Sequence, residues 1–191
     1  MRAFVLSISA AVVSGLVVGA QPETLSVCNV LEAGQQYDGH LVTVRGEYRW
    51  GAHGAWLVAS TGCPFKLITK QVRWPNLVFL TFPIHQSKHP EFRADFDVDL
   101  KAINAAQGRI GHENFDVRTS CLVEVVTGRL VLIHEPEKHV NPPELGGNIL
   151  GFGPSGLGAP AQLLMKSMSR PEIVARSSTR GREFCAPAGD W

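Results

Sequence analysis

Hydrophobic and polar positions alternate over residues 41–50 more regularly than anywhere else in the chain. One side of this pattern carries Val42, Val44, Gly46, Tyr48 and Trp50, and the other carries Thr43, Arg45, Glu47 and Arg49. A period of two predicts a half-buried β-strand. Gly46 interrupts its centre, and a glycine inside a strand commonly marks a bend, a bulge or a barrel corner.

Further apolar runs predict the partners of this strand. A short Gly-rich loop leads to a second strand at residues 55–60, so the two strands form a hairpin. A third strand is predicted at residues 77–82 and a later one at residues 121–133, with Gly128 inside it. Residues 161–174 fit either a helix or a strand, and their position after a turn-rich loop favours the strand.

Two helices complete this order. Residues 24–31 predict a short capping helix with Thr24 or Ser26 as its N-cap, and Gly34 then begins a loop. A second helix is predicted within residues 91–106, inserted between strands.

This order suits a small closed β-barrel of the OB type, in which five strands curl and a helix lies between the third and fourth. The predicted fold class is therefore mainly β (α+β): an OB-like five-stranded β-barrel with an inserted helix and an N-terminal capping helix. Cys28 with Val30-Leu31, residues 38–46, Trp56-Leu57 and Cys63 carry a resemblance to secreted bacterial OB-fold-like domains of unknown function. The resemblance implies a fold, and the family carries no established catalytic residues to transfer.

The N-terminal residues have the pattern of a secretory signal peptide. Arg2 precedes an apolar run at residues 3–18, and the small residues Gly19 and Ala20 fit a cleavage site. The run is shorter than the roughly 20 apolar residues that span a membrane, and no later stretch approaches that length. Cleavage near Ala20 predicts a periplasmic or secreted protein with no membrane span in the mature chain.

The mature chain is long enough for one domain of ordinary size. This domain is predicted at residues 21–176, after a signal peptide at residues 1–20. It contains a Gly/Pro-rich loop at residues 134–160, which is longer than ordinary connections. Residues 177–191 are predicted as a C-terminal tail.

The charge of the chain narrows the class of partner. The chain has 18 Lys and Arg against 17 Asp and Glu, a formal net charge of +1 at pH 7. Removal of Arg2 with the signal peptide brings the mature chain to neutrality. A general nucleic-acid binder carries a basic excess, so nucleic acid is disfavoured as a partner.

The four cysteines, Cys28, Cys63, Cys121 and Cys185, all lie in the mature part. An even number in an exported chain predicts disulfides. Three pairings are possible, and at least one bridge is expected. The pair Cys28–Cys63 is favoured because both cysteines flank the first hairpin. There is no Cys-x-x-Cys spacing to indicate a zinc or redox motif.

The candidate binding surface is the rim of the first hairpin. Trp50 and Trp56 flank the turn that contains His53, and Phe152 lies in the long loop that could close over them. Loops on a rigid barrel are where binding residues concentrate, and tryptophan offers a large contact area with a polar handle. We therefore predict a non-enzymatic module that binds a protein, peptide or glycan without a cofactor. The alternative is that these aromatic side chains are packed in the core.

Two other function classes stay open. His85, His89, His134 and His139 could form the metal site of a hydrolase, but neighbouring prolines disrupt the helices that such a site would use. No metal site is therefore predicted. Single-stranded nucleic-acid binding is the third class, because Tyr48 and the tryptophans could stack on bases. Export and neutral charge weigh against it.

Overall fold

The computed structural model describes residues 23–52, 54–60, 62–64, 68–69, 72–82, 96–110, 116–133, 151–153 and 158–186. The strands within these residues are β1 (Thr24–Ser26), β2 (Leu41–Gly51), β3 (Gly54–Val58), β4 (Ile68–Thr69), β5 (Val72–Arg73), β6 (Leu77–Thr81), β7 (Ser120–Leu132), β8 (Ala161–Met168) and β9 (Glu172–Ala175). The helices are α1 (Val27–Glu32), α2 (Gly34–Tyr37), α3 (Leu100–Ile110) and α4 (Thr179–Phe184).

Five strands close into a barrel, which confirms the predicted OB-like architecture. Around the barrel β2 pairs with β3, β3 with β6, β6 with β8, β8 with β7, and β7 returns to β2. The β6–β8 pair is parallel and the other four pairs are antiparallel. When the five barrel strands are numbered by their order in the chain, they follow one another around the ring as first, second, third, fifth and fourth. α3 lies in the chain between the third and fourth barrel strands.

Shorter strands extend this sheet. β1 adds to β2 in parallel, and β9 adds to β7 antiparallel. β9 follows β8 after residues 169–171, and both strands pair with β7. The strand favoured for residues 161–174 is therefore confirmed, as two segments joined by a short break.

Apolar side chains from the barrel strands and two helices fill the barrel. α1 contributes Val27, Val30 and Leu31, and α3 contributes Ile103, Ala106 and Ile110. The largest fully buried side chains of the barrel strands include Leu57, Leu80, Leu122, Leu130, Leu163 and Met165. Each such side chain stabilises the fold by about 1.5–3 kcal/mol relative to its exposed state.

Two glycines inside strands lie where a neighbour comes too close for a side chain. A Cβ on Gly46 would lie 2.7 Å from Val27 Cγ2 and 3.0 Å from the Val58 carbonyl oxygen. A Cβ on Gly128 would collide with the Leu164 carbonyl, and the register between β7 and β8 shifts next to Gly128. Gly128 therefore marks a bulge, and Gly46 marks the close packing of α1 and β3 against β2.

The cysteines form two disulfides, Cys28–Cys63 and Cys121–Cys185. Their Cα atoms are 5.6 Å and 5.8 Å apart, which is the usual range. The bridges close segments of 35 and 64 residues, and by the chain-entropy model each stabilises the fold by roughly 4 kcal/mol. The favoured first pairing is confirmed, and two disulfides fit an oxidising, extracellular-type environment.

The N-terminal segment differs from the prediction. Its first residues form β1, and Ser26 is the N-cap of α1 because its hydroxyl oxygen accepts a hydrogen bond from the Asn29 N–H. Gly34 was expected to begin a loop, but it begins α2. A Cβ there would lie 2.9 Å from Leu132 Cδ1, so the glycine allows α2 to pack on β7. This tertiary contact is not visible in the local sequence.

The inserted helix begins within the predicted residues 91–106 and extends four residues past them, to Ile110. α3 starts at Leu100, and the part of residues 91–106 before residue 96 lies outside the described residues. The Asp99 carboxylate accepts a hydrogen bond from the Ala102 N–H, the usual N-cap contact. The Asp99 N–H also donates to the Lys166 carbonyl of β8, which ties the start of α3 to the barrel.

The polar side of β2 is more covered than predicted, since Thr43 and Glu47 are buried there while the two arginines are half-buried. C-terminal residues cover part of this side. Glu47 Oε1 accepts hydrogen bonds from Arg49 Nε at 2.9 Å and Arg176 Nη2 at 2.8 Å. Glu47 Oε2 accepts one from the Ala186 N–H at 2.5 Å. The segment expected as a tail, residues 177–191, thus contains α4, and its Ala186 N–H bonds to Glu47 beside the ion pairs that Glu47 makes with Arg49 and Arg176.

The predicted signal peptide, residues 1–20, lies outside the described residues. Among the helices that the structure describes, none is long and apolar enough to cross a membrane.

Candidate functional site

The register of the β2–β3 hairpin decides which aromatic side chains share a face. Trp50 pairs with Ala55 across the hairpin, and Trp56 pairs with Arg49. Paired residues project to the same face, and neighbours along a strand project to opposite faces. Trp50 therefore lies on the side of Tyr48 and Ala55, which belong to the barrel interior, and Trp56 lies on the outer side.

Trp56 and Phe79 form an aromatic pair on the outer side of β3 and β6. They are directly paired residues, and their ring centroids lie 5.9 Å apart with an angle of 61° between the ring planes. This is an edge-to-face contact, and both side chains are half-buried. The next pair along this side, Val58 with Leu77, is buried. We call this surface, centred on Trp56 and Phe79, the outer aromatic face.

Phe152 packs into the same apolar cluster as Trp56 and is only 7% exposed. Its N–H donates to the Ala159 carbonyl at 2.9 Å, and the Ala159 N–H donates to the Phe152 carbonyl at 2.8 Å. We call residues 151–153 and 158–160, which these bonds join, the strap. The strap brings Phe152 onto the outer aromatic face.

Polar groups border the outer aromatic face. Arg49 lies beside Trp56 as its cross-strand partner, and Gln162 of β8 lies beside Phe79. Gln162 Oε1 accepts a hydrogen bond from Thr81 Oγ1 at 2.8 Å. Gln162 Nε2 is buried and has no hydrogen-bond partner among the residues described. An unsatisfied buried donor costs about 1–3 kcal/mol, so Nε2 is a candidate donor to a ligand oxygen.

Trp50 is 50% exposed, and its ring stacks on Tyr48 with centroids 5.7 Å apart and an angle of 28° between the planes. His53, in the turn between the two strands, lies outside the described residues. Of the predicted binding residues, the structure therefore brings Trp56 and Phe152 together and places Trp50 on the opposite side of the hairpin.

A carboxyl group that the sequence analysis missed lies inside the barrel. Glu124 of β7 is 0% exposed, and its Oε1 accepts hydrogen bonds from Ser169 Oγ at 2.7 Å and Val125 N at 3.2 Å. Its Oε2 has no hydrogen-bond partner within the described part of the chain. Burial raises the pKa of Glu124 to about 7, although these two hydrogen bonds act to lower it. Burial, and then the charge of Glu124, raises the pKa of Tyr48 to about 12.

A sequence signal for this buried acid exists. Glu124 alternates with Leu122 and Val126, which are buried in the barrel core. A single acid on the inward side of a Leu/Val-rich strand indicates a buried carboxyl group. Such a group gains or loses its proton near neutral pH, whereas the aromatic side chains of the outer face do not titrate.

The histidines of the alternative metal site, His85, His89, His134 and His139, lie outside the described residues. Within the ranges that are described, no group of three or more His, Cys, Asp and Glu side chains could hold a metal ion.

The outer aromatic face therefore combines half-buried aromatic rings, packed against Phe152, with the unsatisfied Gln162 amide at its border. None of the protein-family models, curated proteins and solved structures compared with this chain matches it.

Proposed function

We propose that this protein is an exported, non-enzymatic binding module whose ligand, a protein, peptide or glycan, occupies the outer aromatic face. The observation that carries the proposal is the half-buried Trp56–Phe79 pair on the second and third strands of the barrel. OB-like barrels use the corresponding face, with the loops beside it, to hold their ligands.

The chemistry of this face supports a binding role. An aromatic ring presents a large, rigid contact area at a small cost in conformational entropy. The buried Gln162 amide adds a donor beside Phe79, and the Arg49 guanidinium, which is paired with Glu47, adds a positive charge beside Trp56. Apolar contact surrounded by a few fixed polar groups is the usual composition of a ligand site.

Two features support export. The apolar run at residues 3–18 has the pattern of a signal peptide, and the mature part contains two disulfides. The near-neutral charge of the chain weighs against nucleic acid as the ligand.

Arrays of glycans and peptides, probed with the parent protein and two variants, test the proposal. We expect Trp56→Ala to lose about tenfold or more in affinity, because a central aromatic anchor contributes more than about 1 kcal/mol to an interface. Trp50→Ala is the matched control, since it removes the exposed tryptophan of the opposite side, and it should retain binding.

The reverse result, binding kept by Trp56→Ala and lost by Trp50→Ala, would contradict the proposed site. Stoichiometric zinc in the purified protein, lost together with a hydrolytic activity when His134 and His139 are substituted, would favour the hydrolase instead.

A further inference from the structure

We propose that the strap is an internal competitor for the ligand of the outer aromatic face, and that this ligand is a peptide that inserts an aromatic side chain where Phe152 now lies. The inference rests on the proposed function. It adds the chemical class of the ligand and the means by which access to the face is controlled.

The surroundings of Phe152 are suited to an aromatic guest. The hydrophobic cluster around it contains Val58, Trp74, Leu77, Ile133, Ala159 and Ala186, with Trp56, Phe79 and Val131 packed at its border. A sugar ring in this position would bury hydroxyl groups away from water, and each unsatisfied hydroxyl costs about 1–3 kcal/mol. A phenyl or indole ring carries no such cost on its faces. The pocket therefore favours an aromatic side chain over a glycan.

Glycines on both sides of Phe152 fit the strap to this position. Gly151 and Gly153 have φ angles of 96° and 112°, a region that other residues rarely adopt. A Cβ on Gly151 would lie 2.7 Å from Trp74 Cζ3 and 2.7 Å from the Ala159 carbonyl oxygen. The docked strap therefore depends on glycine at position 151, for its backbone conformation and for the space against Trp74.

The backbone hydrogen bonds of Phe152 allow its ring to leave the outer aromatic face without opening the barrel. The N–H and carbonyl groups of Phe152 are both bonded to Ala159, within the strap itself. Ala159 is buried, and the Pro160 carbonyl accepts a hydrogen bond from the Ile133 N–H, so residues 158–160 stay on the barrel. Departure of residues 151–153 with the Phe152 ring breaks only the two bonds to Ala159. The barrel ladders are different, because each of their bonds joins two strands of the closed ring. Undocking of the strap thus leaves the barrel closed.

A competing strap has a measurable consequence. The apparent affinity for a peptide that uses the same pocket is reduced by the fraction of molecules in which the strap is undocked. Variants that undock the strap should therefore bind such a peptide more tightly. Loss of an ordinary contact residue has the opposite effect, so the direction of the change identifies the competitor.

The test uses a synthetic peptide with the sequence of residues 149–160 and calorimetric titration. Phe152→Ala empties the pocket, and Gly151→Ala blocks docking while the Phe152 ring is retained. We expect both variants to bind the peptide at least about tenfold more tightly than the parent. Gly51→Ala is the matched control, because a Cβ there meets nothing within 4 Å, and it should bind like the parent. A second peptide with alanine in place of its phenylalanine should not bind.

Two outcomes overturn the inference. Equal affinity of the parent and both variants would show that the strap does not compete, and absence of binding to both variants would exclude the aromatic peptide. Neither result bears on the proposed function, which the comparison of Trp56→Ala with Trp50→Ala tests separately. Failure of this inference can therefore be distinguished from failure of the proposed function.

Hydrogen exchange on the parent protein gives a readout that needs no variant. The amides of Phe152 and Ala159 should exchange faster than those of β7 and β8, and addition of the peptide in excess should not slow them. Exchange as slow as in β7 would contradict a displaceable strap.

Discussion

The barrel interior and the outer aromatic face both bury large apolar side chains, but different attachments enclose them. A ladder that closes on itself encloses the interior, with residues 41–47 of β2 paired to residues 123–129 of β7. The strap covers the outer face, and the backbone bonds between Phe152 and Ala159 are made within the strap. A closed ladder opens when the barrel unfolds, whereas the undocking that we propose for Phe152 breaks two backbone bonds that lie outside this ladder. The way in which each cluster is enclosed, more than how deeply it is buried, therefore distinguishes the structural core from the proposed binding surface.

The largest expected effect is on the free energy of unfolding, and it is tested by substituting two neighbouring residues of β3. Leu57 is 0% exposed inside the barrel, and Trp56 lies on the outer face. Leu57→Ala should lower the free energy of unfolding by about 3–5 kcal/mol, because the closed barrel cannot collapse around the cavity. Trp56→Ala should cost less than about 2 kcal/mol, since its ring is half-buried and the strap can settle into the space. Urea unfolding measures both, and equal losses would place the outer face in the same core as the interior.

A smaller effect is expected on the pH dependence of stability, and it comes from the Glu124 carboxyl group inside the barrel. The pKa of Glu124 is raised from 4.5 to about 7, so the folded state binds this proton more tightly than the unfolded state. Its contribution to stability is fully present below about pH 4.5 and is lost as the pH rises to about 7. Glu124→Gln should remove this decline and raise the free energy of unfolding at pH 8 by roughly 2–3 kcal/mol. Urea unfolding between pH 4 and 9 measures the curves.

Ser169→Ala provides the control for this pH dependence. The Ser169 hydroxyl donates to Glu124 and lowers the pKa of its carboxyl group. Its removal should raise that pKa further and extend the decline in stability to higher pH. A parent curve that stays flat from pH 4.5 to 7 would contradict a buried, protonated Glu124.

The smallest expected effect is on the quenching of tryptophan fluorescence, which differs between Trp50 and Trp56 on the two sides of the hairpin. Trp50 is 50% exposed and Trp74 is buried, while the strap shields Trp56. Acrylamide quenching of tryptophan fluorescence should therefore fall most in Trp50→Phe and less in Trp56→Phe. A larger decrease in Trp56→Phe would mean that the outer face is open in solution and that the strap does not cover it.

The barrel strands were predictable from the sequence because each carries its own local signal. Alternation in residues 41–50 located β2, and the Leu/Val-rich run around Gly128 located β7. The start of α3 also has a local signal, the Asp99 side chain, whereas the apolar spacing gave only a range, residues 91–106, that ends four residues before the helix does. Local patterns identified the elements better than their boundaries.

The candidate site was less predictable because it depends on register and on distant contacts. Trp50 pairs with Ala55, and a shift of one residue in the hairpin would pair it with Trp56 and make one aromatic surface. Turn geometry sets that register, and the spacing of the two tryptophans does not. Likewise Phe152 meets Trp56 through the fold, nearly a hundred positions along the chain, so its docking has no local signal.

The contact between Glu47 and the C-terminal segment also determines the order in which parts of the protein fold. Glu47 meets Arg176 at a separation of 129 positions and the Ala186 N–H at 139. Until both arrive, the Glu47 carboxylate lies on the outer side of β2 in contact with water, because the residues that bury it are not yet in place. Contacts of such long range form late, because the chain must first lose the entropy of a large loop. A chain that emerges from its N-terminus therefore covers the outer side of β2 only after residue 186 has emerged, and β2 stays incompletely covered until then.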